Sequence, residues 1–201
     1  MWRKLKSALS ELPRVLDAVS DLTGYAAVRV PLERAGGANE VTLDLPGYGQ
    51  LNTYGCGVVA GIMVLKFFRP SADFARFHGL VAPDPAEGTT TDELIRALRK
   101  SGLKVEDRFG LTFADLCEAI DQGRPVIVVV HNPGREYRHW VTVYGYGRKP
   151  NLVFLATNGL PWFTGNRVPL RQFTRLWSPR GHGLICWLPP SPVRRRPRGR
   201  K

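Results

Sequence analysis

The feature that most constrains this sequence is the apolar run 58–68, which follows a cysteine flanked by Gly55 and Gly57. The run is apolar at nearly every position, so a helix formed from it has no polar face for solvent and must lie inside the domain. Pro70 ends the run, because proline lacks a backbone donor and clashes with the turn before it. The pattern predicts a central, buried helix over 56–68.

Cys56 lies where a cysteine can become a nucleophile. The start of a helix is the positive end of its macrodipole and carries backbone N–H groups without helical partners, and both stabilise a thiolate. Gln50 precedes Cys56 by six residues, so the loop between them can aim its side-chain amide at an oxyanion. Gly55 and Gly57 are interpreted as leaving room for a substrate backbone. The alternative for Cys56 is a buried structural thiol.

A candidate base and a group to orient it come later in the chain. His139 begins the alternating stretch 139–146, and the next such stretch, 152–157, is followed by Asn158. Two neighbouring antiparallel strands would bring His139 and Asn158 to one end of a sheet. Nucleophile, base and orienting group then follow in chain order. Asn158 before glycine is also a common turn pair, and the competing bases are His78, His131 and His182.

These residues resemble the papain-like cysteine peptidases, and most closely the bacterial branch that contains the bacteriocin-processing, double-glycine leader peptidases. The resemblance covers roughly residues 40–188. It rests on the spacing of Gln50 and Cys56, on a Cys-Gly pair that opens a helix, and on three further pieces: segment 88–94, segment 123–130 and the pair Phe173 and Trp177. The branch usually has Asp at the third triad position, where this chain has Asn158. A neutral partner still orients the base but stabilises its imidazolium less.

The resemblance implies a cysteine peptidase that cleaves peptide or amide bonds through an acyl-thioester. It implies a peptide or protein substrate and four catalytic residues: Cys56, His139, Asn158 and Gln50. No cofactor is predicted, and no metal either, because the scattered cysteines show no paired metal-ligand spacing. The same side chains also serve acyltransferases and transglutaminase-type enzymes, and a papain-like scaffold can be used for binding alone. These alternatives stay open, because fold and triad fix the acyl-enzyme chemistry and not the acceptor.

The order of the predicted elements indicates an α+β fold, in which a helical first half packs on an antiparallel sheet from the second half. Residues 25–188 are assigned to this papain-like domain, 1–24 to an amphipathic helical segment and 189–201 to a disordered Pro/Arg-rich tail. Further helices are predicted to start at the caps Ser71, Thr91 and Thr112 and over 170–176. Further strands are predicted over 26–32, 41–45, 103–107, 125–131 and 184–188, the first two as a lead-in to Gln50.

The net charge of +12 is concentrated at the two ends of the chain. Residues 1–7 and 194–201 account for nine of these charges, so the region between them is nearly balanced. The tail is interpreted either as solubilising or as a weak contact for nucleic acid or anionic lipid, and residues 2–22 as a helix packed on the domain or lying on a membrane. No run reaches the ~18 apolar residues of a membrane span. With scattered cysteines at 56, 117 and 186 and no signal-peptide pattern, a cytoplasmic protein is predicted.

Overall fold

The computed structural model describes residues 27–131, 138–156, 165–177 and 180–190. The described strands are β1 (Ala27–Val30), β2 (Glu40–Thr42), β3 (Gly47–Gln50), β4 (Lys104–Arg108), β5 (Val126–His131), β6 (Arg138–Gly147), β7 (Leu152–Ala156), β8 (Gly165–Pro169) and β9 (Gly183–Trp187). The described helices are α1 (Cys56–Phe68), α2 (Phe74–Val81), α3 (Thr91–Lys100), α4 (Phe113–Asp121) and α5 (Leu170–Leu176). The α+β prediction is confirmed, whereas the predicted N-terminal helix and the basic tail lie outside the described residues.

Helix α1 is the buried helix that the apolar run predicted. Every residue from Cys56 to Leu65 is buried, because helices α2 and α3 cover one side of it and the main sheet covers the other. A Cβ added to Gly61 would come within 2.7 Å of Phe77 and 2.9 Å of Leu94. Glycine at this position therefore lets the two covering helices approach the α1 backbone closely.

The main sheet is antiparallel and has the strand order β4-β9-β5-β6-β7-β8, with β2 paired to β6. Helix α1 packs on one face against side chains that include Val129, Trp140 and Leu184. Helix α4 packs on the opposite face, where Val141 and Val143 of β6 are buried. Because β5 and β6 are covered on both faces, they are almost continuously buried, and β6 begins beside the start of α1.

A second, two-stranded sheet consists of β1 and β3 and places Ala27 opposite Gln50. The predicted role of β1 as a lead-in to Gln50 is confirmed. The sequence missed β3, because glycine at alternate positions gives residues 47–50 little strand propensity. Strand β2 overlaps the strand predicted over 41–45, and it pairs with β6 of the main sheet.

Two of the predicted helix caps are wrong by one or two residues. Helix α2 follows Asp73 rather than Ser71, and helix α3 follows Thr90 rather than Thr91. In both cases the side-chain oxygen of the actual cap accepts a hydrogen bond from the backbone N–H three residues later, which satisfies a donor that the helix leaves unpaired. The predicted cap at Thr112 is confirmed.

Candidate active site

Cys56 is the first residue of α1, and 7% of it is exposed. Gly55 occupies the N-cap position, and the first turn contains no acidic residue. Backbone N–H groups of Cys56 and Gly57 at the helix start, and of Trp140 at the start of β6, form hydrogen bonds that lower the pKa of the Cys56 thiol. Cys56, the candidate nucleophile, therefore lies where backbone donors from both α1 and β6 point at its sulfur.

Burial acts in the opposite direction and prevails. The pKa of the Cys56 thiol is raised above its ordinary value, because burial penalises the charged thiolate more than the backbone N–H groups stabilise it. The helix start on which the sequence analysis relied is thus insufficient by itself. A stable thiolate at this position needs a cationic partner, such as the imidazolium of a neighbouring histidine.

The histidine that β6 brings to this place is His139. It is the second residue of the strand, lies opposite Val130 of β5 and is partly exposed. Its chain neighbour Trp140 supplies the backbone N–H that acts on the Cys56 thiol. Helix α1 and the start of strand β6 therefore meet at Cys56 and Trp140, and His139 is the residue directly before Trp140.

Gln50 ends β3 and is buried, with 6% of it exposed. Its Nε2 donates to the backbone oxygen of Asn52 at 2.6 Å. A primary amide nitrogen carries two hydrogens, so this bond leaves one N–H for a further acceptor. The amide nitrogen thus faces the loop that leads to Cys56, as an oxyanion-binding role requires.

The glycines beside Cys56 have a different role from the one predicted. A Cβ on Gly55 would lie within 2.5 Å of the Asn52 side chain, and one on Gly57 would lie 2.6 Å from Cβ of Thr89. The space next to each glycine is therefore filled by this chain rather than left open for a substrate. No sequence pattern indicates that Asn52 and Thr89 pack against the start of α1.

Thr89 also connects the loop before α3 to β6. Its backbone oxygen accepts a hydrogen bond from Nε1 of Trp140 at 2.9 Å. Its own Oγ1 is buried without a hydrogen-bond partner, and Oε1 of Gln50 is the other such atom in the part of the chain that the structure describes. Both atoms belong to residues that pack around the turn at Cys56, where a buried polar atom without a partner carries an energetic cost.

The competing histidines lie in other surroundings. His131 is exposed opposite Arg138 at the end of β5, and burial in α2 lowers the pKa of His78. His182 is buried, and its Nε2 lies 2.7 Å from Oδ1 of Asp107. His139 differs from all three because it directly precedes, in β6, the residue whose backbone N–H acts on the Cys56 thiol.

The pair of His182 and Asp107 was not predicted, because the two residues are 75 positions apart. The His182 ring stacks on Phe109 with a centroid separation of 4.3 Å and meets the Trp140 ring at 6.3 Å. Trp177 donates from Nε1 to the backbone oxygen of His182 at 2.9 Å. This group of side chains supports the ring of Trp140 from the side of β9.

The remaining predicted residue, Asn158, lies outside the described residues. Strands β6 and β7 are antiparallel neighbours as predicted, and Thr142 is opposite Ala156. Within the described ranges, no group of three or more His, Cys, Asp or Glu side chains is arranged to hold a metal ion. No helix among the same residues is long and apolar enough to cross a membrane.

Solved structures share this arrangement of a buried helix on an antiparallel sheet. The peptidase domain of Streptococcus ComA, a bifunctional ABC transporter of a quorum-sensing pathway, superposes with a TM-score of 0.59 at 22% identity, over 70% of this chain and 96% of that domain. A putative C39-like peptidase from Bacillus anthracis gives 0.58 at 16% identity, over 74% and 97%. A double-glycine-motif protease from an AMS/PCAT transporter, solved with its leader peptide, gives 0.55 at 16% identity, over 73% and 93%.

The fold is therefore that of the papain-like cysteine peptidases, and the protein is a cysteine peptidase. The profile of the family described as Peptidase_C39 like matches residues 42–184, and the chain belongs to this family. No curated protein matches the sequence significantly. The resemblance drawn from Gln50, Cys56 and the strand that begins at His139 is confirmed at the level of family and fold.

Proposed function

We propose that this peptidase hydrolyses peptide bonds with Cys56 as nucleophile, His139 as base, Asn158 as the group that orients the base, and Gln50 as an oxyanion-binding residue. The observation that carries the proposal is the contact between α1 and β6 at Cys56. The N–H of Trp140 acts on the thiol, and His139 is the adjacent residue. The contact supports the proposal, because nucleophilic catalysis needs a base on one element close to a nucleophile on another.

The first step is the formation of an ion pair. The His139 imidazole accepts the proton of the Cys56 thiol and becomes an imidazolium, and its charge offsets the desolvation that raises the thiol pKa. The amide oxygen of Asn158 accepts a hydrogen bond from the other ring nitrogen and thereby fixes the orientation of the ring.

Acylation and hydrolysis follow. The thiolate attacks the carbonyl carbon, and the oxyanion that forms accepts hydrogen bonds from the free N–H of Gln50 Nε2 and from the backbone N–H of Cys56. His139 gives its proton to the leaving amine as the peptide C–N bond breaks, which leaves a thioester on Cys56. Water, deprotonated by His139, then attacks the thioester, and the released thiolate completes the cycle.

The proposed substrate is a peptide or protein. The AMS/PCAT protease was solved in complex with a leader peptide, and a peptide substrate for this chain is consistent with the shared fold. We assign the catalytic domain to residues 25–188 and a bacterial, cytoplasmic setting to the protein, in which its free cysteines stay reduced.

The basic tail is proposed to contact anionic surfaces weakly. Vesicle co-sedimentation that is unchanged without residues 191–201 would exclude a contact with anionic lipid.

The test of the proposal is the pH dependence of Cys56 alkylation by iodoacetamide in the wild type and in His139→Ala. Burial raises the thiol pKa, so the variant should react only above the ordinary thiol pKa of about 8.5. In the wild type the ion pair should shift the onset lower by about two pH units or more. Both proteins should also carry Cys117→Ala and Cys186→Ala, so that the measured alkylation is that of Cys56.

Coincident profiles in the two proteins would contradict the ion pair and favour a binding scaffold. If the ion pair is present, thioester capture by an added amine distinguishes hydrolysis from acyl transfer. A peptidase should release mainly the free acid from its acyl-enzyme, whereas a dominant amide product would favour the acyltransferase alternative.

A further inference from the structure

We propose that Asn52 is a positioning residue that arranges the two halves of the oxyanion-binding site, Gln50 and the start of α1. The proposal rests on the roles proposed above for Gln50 and Cys56. Asn52 is 3% exposed, although it lies in the loop between β3 and α1. Polar side chains are rarely buried to this extent without bonded partners, and the partners of Asn52 lie on both sides of it along the chain.

The backbone carbonyl of Asn52 determines which end of the Gln50 amide faces the loop. Nε2 of Gln50 donates to this carbonyl at 2.6 Å. An amide rotated by half a turn would place Oε1 against the same carbonyl oxygen, and two acceptors would then face each other. The carbonyl therefore selects the orientation in which Gln50 presents N–H groups, which alone can stabilise an oxyanion.

The side chain of Asn52 fixes the residue immediately before the nucleophile. Oδ1 of Asn52 accepts a hydrogen bond from the backbone N–H of Gly55 at 2.6 Å. Gly55 is the N-cap of α1, and its carbonyl accepts the bond from Val59 that begins the helix. Because Cys56 follows Gly55 directly, the Asn52 side chain helps to set the position of the Cys56 backbone N–H, the second of the proposed oxyanion donors.

The identity of Gly55 supports this reading. Gly55 has φ −82° and ψ 7°, which other residues adopt without strain. Its Cβ position is instead blocked by the Asn52 side chain, which would lie closer than any normal contact. Residue 55 is therefore glycine because Asn52 occupies the space, and the two residues act as a matched pair.

The experiment compares two reagents that differ in their need for an oxyanion. Iodoacetamide alkylates a thiolate by displacement and forms no oxyanion, whereas p-nitrophenyl acetate acylates it through a tetrahedral intermediate that does. Asn52→Ala should lower the acylation rate by about tenfold or more, because small displacements of catalytic donors are costly. Alkylation should stay within about twofold of the wild type, since the thiolate is formed by His139.

Further variants separate positioning from general damage. Asn52→Ser should recover much of the acylation rate, because a serine hydroxyl can accept the same bond from the N–H three residues later. Gly55→Ala should resemble Asn52→Ala, and the double variant should be no worse than either single one, because both lose one shared contact. Asn39→Ala, at an exposed asparagine remote from Cys56, should change neither rate.

The outcomes are distinguishable. Unchanged acylation in Asn52→Ala, an equal fall in both rates together with a lower Tm, or no recovery in Asn52→Ser would overturn the role of Asn52. Unchanged acylation in Gln50→Ala, or alkylation of Cys56 that does not depend on His139, would instead overturn the proposed function. Only a selective loss of acylation that serine recovers supports the inference.

Discussion

Two buried cysteines, the proposed nucleophile Cys56 and Cys117, differ in the surroundings of their thiols. Both lie in helices, and burial raises the pKa of both thiols. Cys56 opens α1, where backbone N–H groups are not used by the helix, and a second element adds the N–H of Trp140. Cys117 lies within α4, where backbone donors already serve the helix. Burial alone therefore does not separate the two.

The neighbours of the two sulfurs differ in kind as well. Cys117 is influenced by the Arg148 side chain, which lowers its pKa, and by the Asp121 carboxylate, which raises it. These two charged side chains also approach each other, at 4.0 Å, so that each limits the effect of the other. At Cys56 the influences that oppose burial come from backbone N–H groups. The thiol of Cys56 is thus influenced by fixed backbone donors, and the thiol of Cys117 by two opposing charged side chains.

The largest effect expected from this comparison is the loss of Cys56. Cys56→Ala should reduce acylation by p-nitrophenyl acetate to the background rate, because no covalent step is left. Cys117→Ala should retain the wild-type rate within about twofold, since small changes at a buried cysteine affect packing rather than chemistry. A loss of acylation in Cys117→Ala at unchanged Tm would break the comparison.

The next largest effect concerns Gln50, the side-chain donor that is proposed for the oxyanion at Cys56. Gln50→Ala should lower acylation by about a hundredfold, the typical cost of one oxyanion donor. Gln50→Glu should be at least as damaging, because a carboxylate cannot donate to the oxyanion and is repelled by both that charge and the Asn52 carbonyl. Equal acylation rates in the wild type and Gln50→Glu would show that residue 50 does not act on the oxyanion.

The smallest effect concerns stability and two adjacent threonines. Thr89 has a buried hydroxyl without a partner, whereas the Thr90 hydroxyl caps α3. Thr89→Val should raise the free energy of unfolding by about 1 kcal/mol, because the unpaired polar atom is removed. Thr90→Val should lower it by about 1 kcal/mol through loss of the cap.

Denaturant unfolding of both variants measures these changes, and acylation by p-nitrophenyl acetate shows whether either affects the site. Stabilisation in Thr89→Val at an unchanged acylation rate would assign its hydroxyl no part in this reaction. A destabilised Thr89→Val would mean that the hydroxyl has an effective partner, which contradicts the prediction.

Local signals predicted a large part of the fold. The apolar run and Pro70 gave both ends of α1, and the predicted helix 170–176 coincides with α5. Caps were found less reliably, because Ser71 and Asp73 are both good cap residues and only packing decides between them. Strand β8 was missed along with β3, since its residues 165–169 contain glycine, asparagine and proline and depend on β7 for their extended form.

The residues of the site also fall into those that a local sequence pattern predicts and those that it does not. Cys56, Gln50 and His139 could be nominated because each belongs to a local pattern of spacing or element start. Asn52 could not, since a loop asparagine before threonine and tyrosine suggests a solvent-exposed turn, and its burial arises from the packed structure. The pair of His182 and Asp107 depends on pairing between β4 and β9, which no local pattern encodes.

The hydrogen bond from the Trp140 indole to Thr89 has a consequence for when the enzyme becomes active. It joins residues 51 positions apart, and contacts of such separation form only after the intervening chain has collapsed around them. On the ribosome, Cys56 emerges well before strand β6, which carries the proposed base His139. The nascent chain is therefore expected to be inactive, and peptidase activity should appear only after the helical half has packed on the sheet.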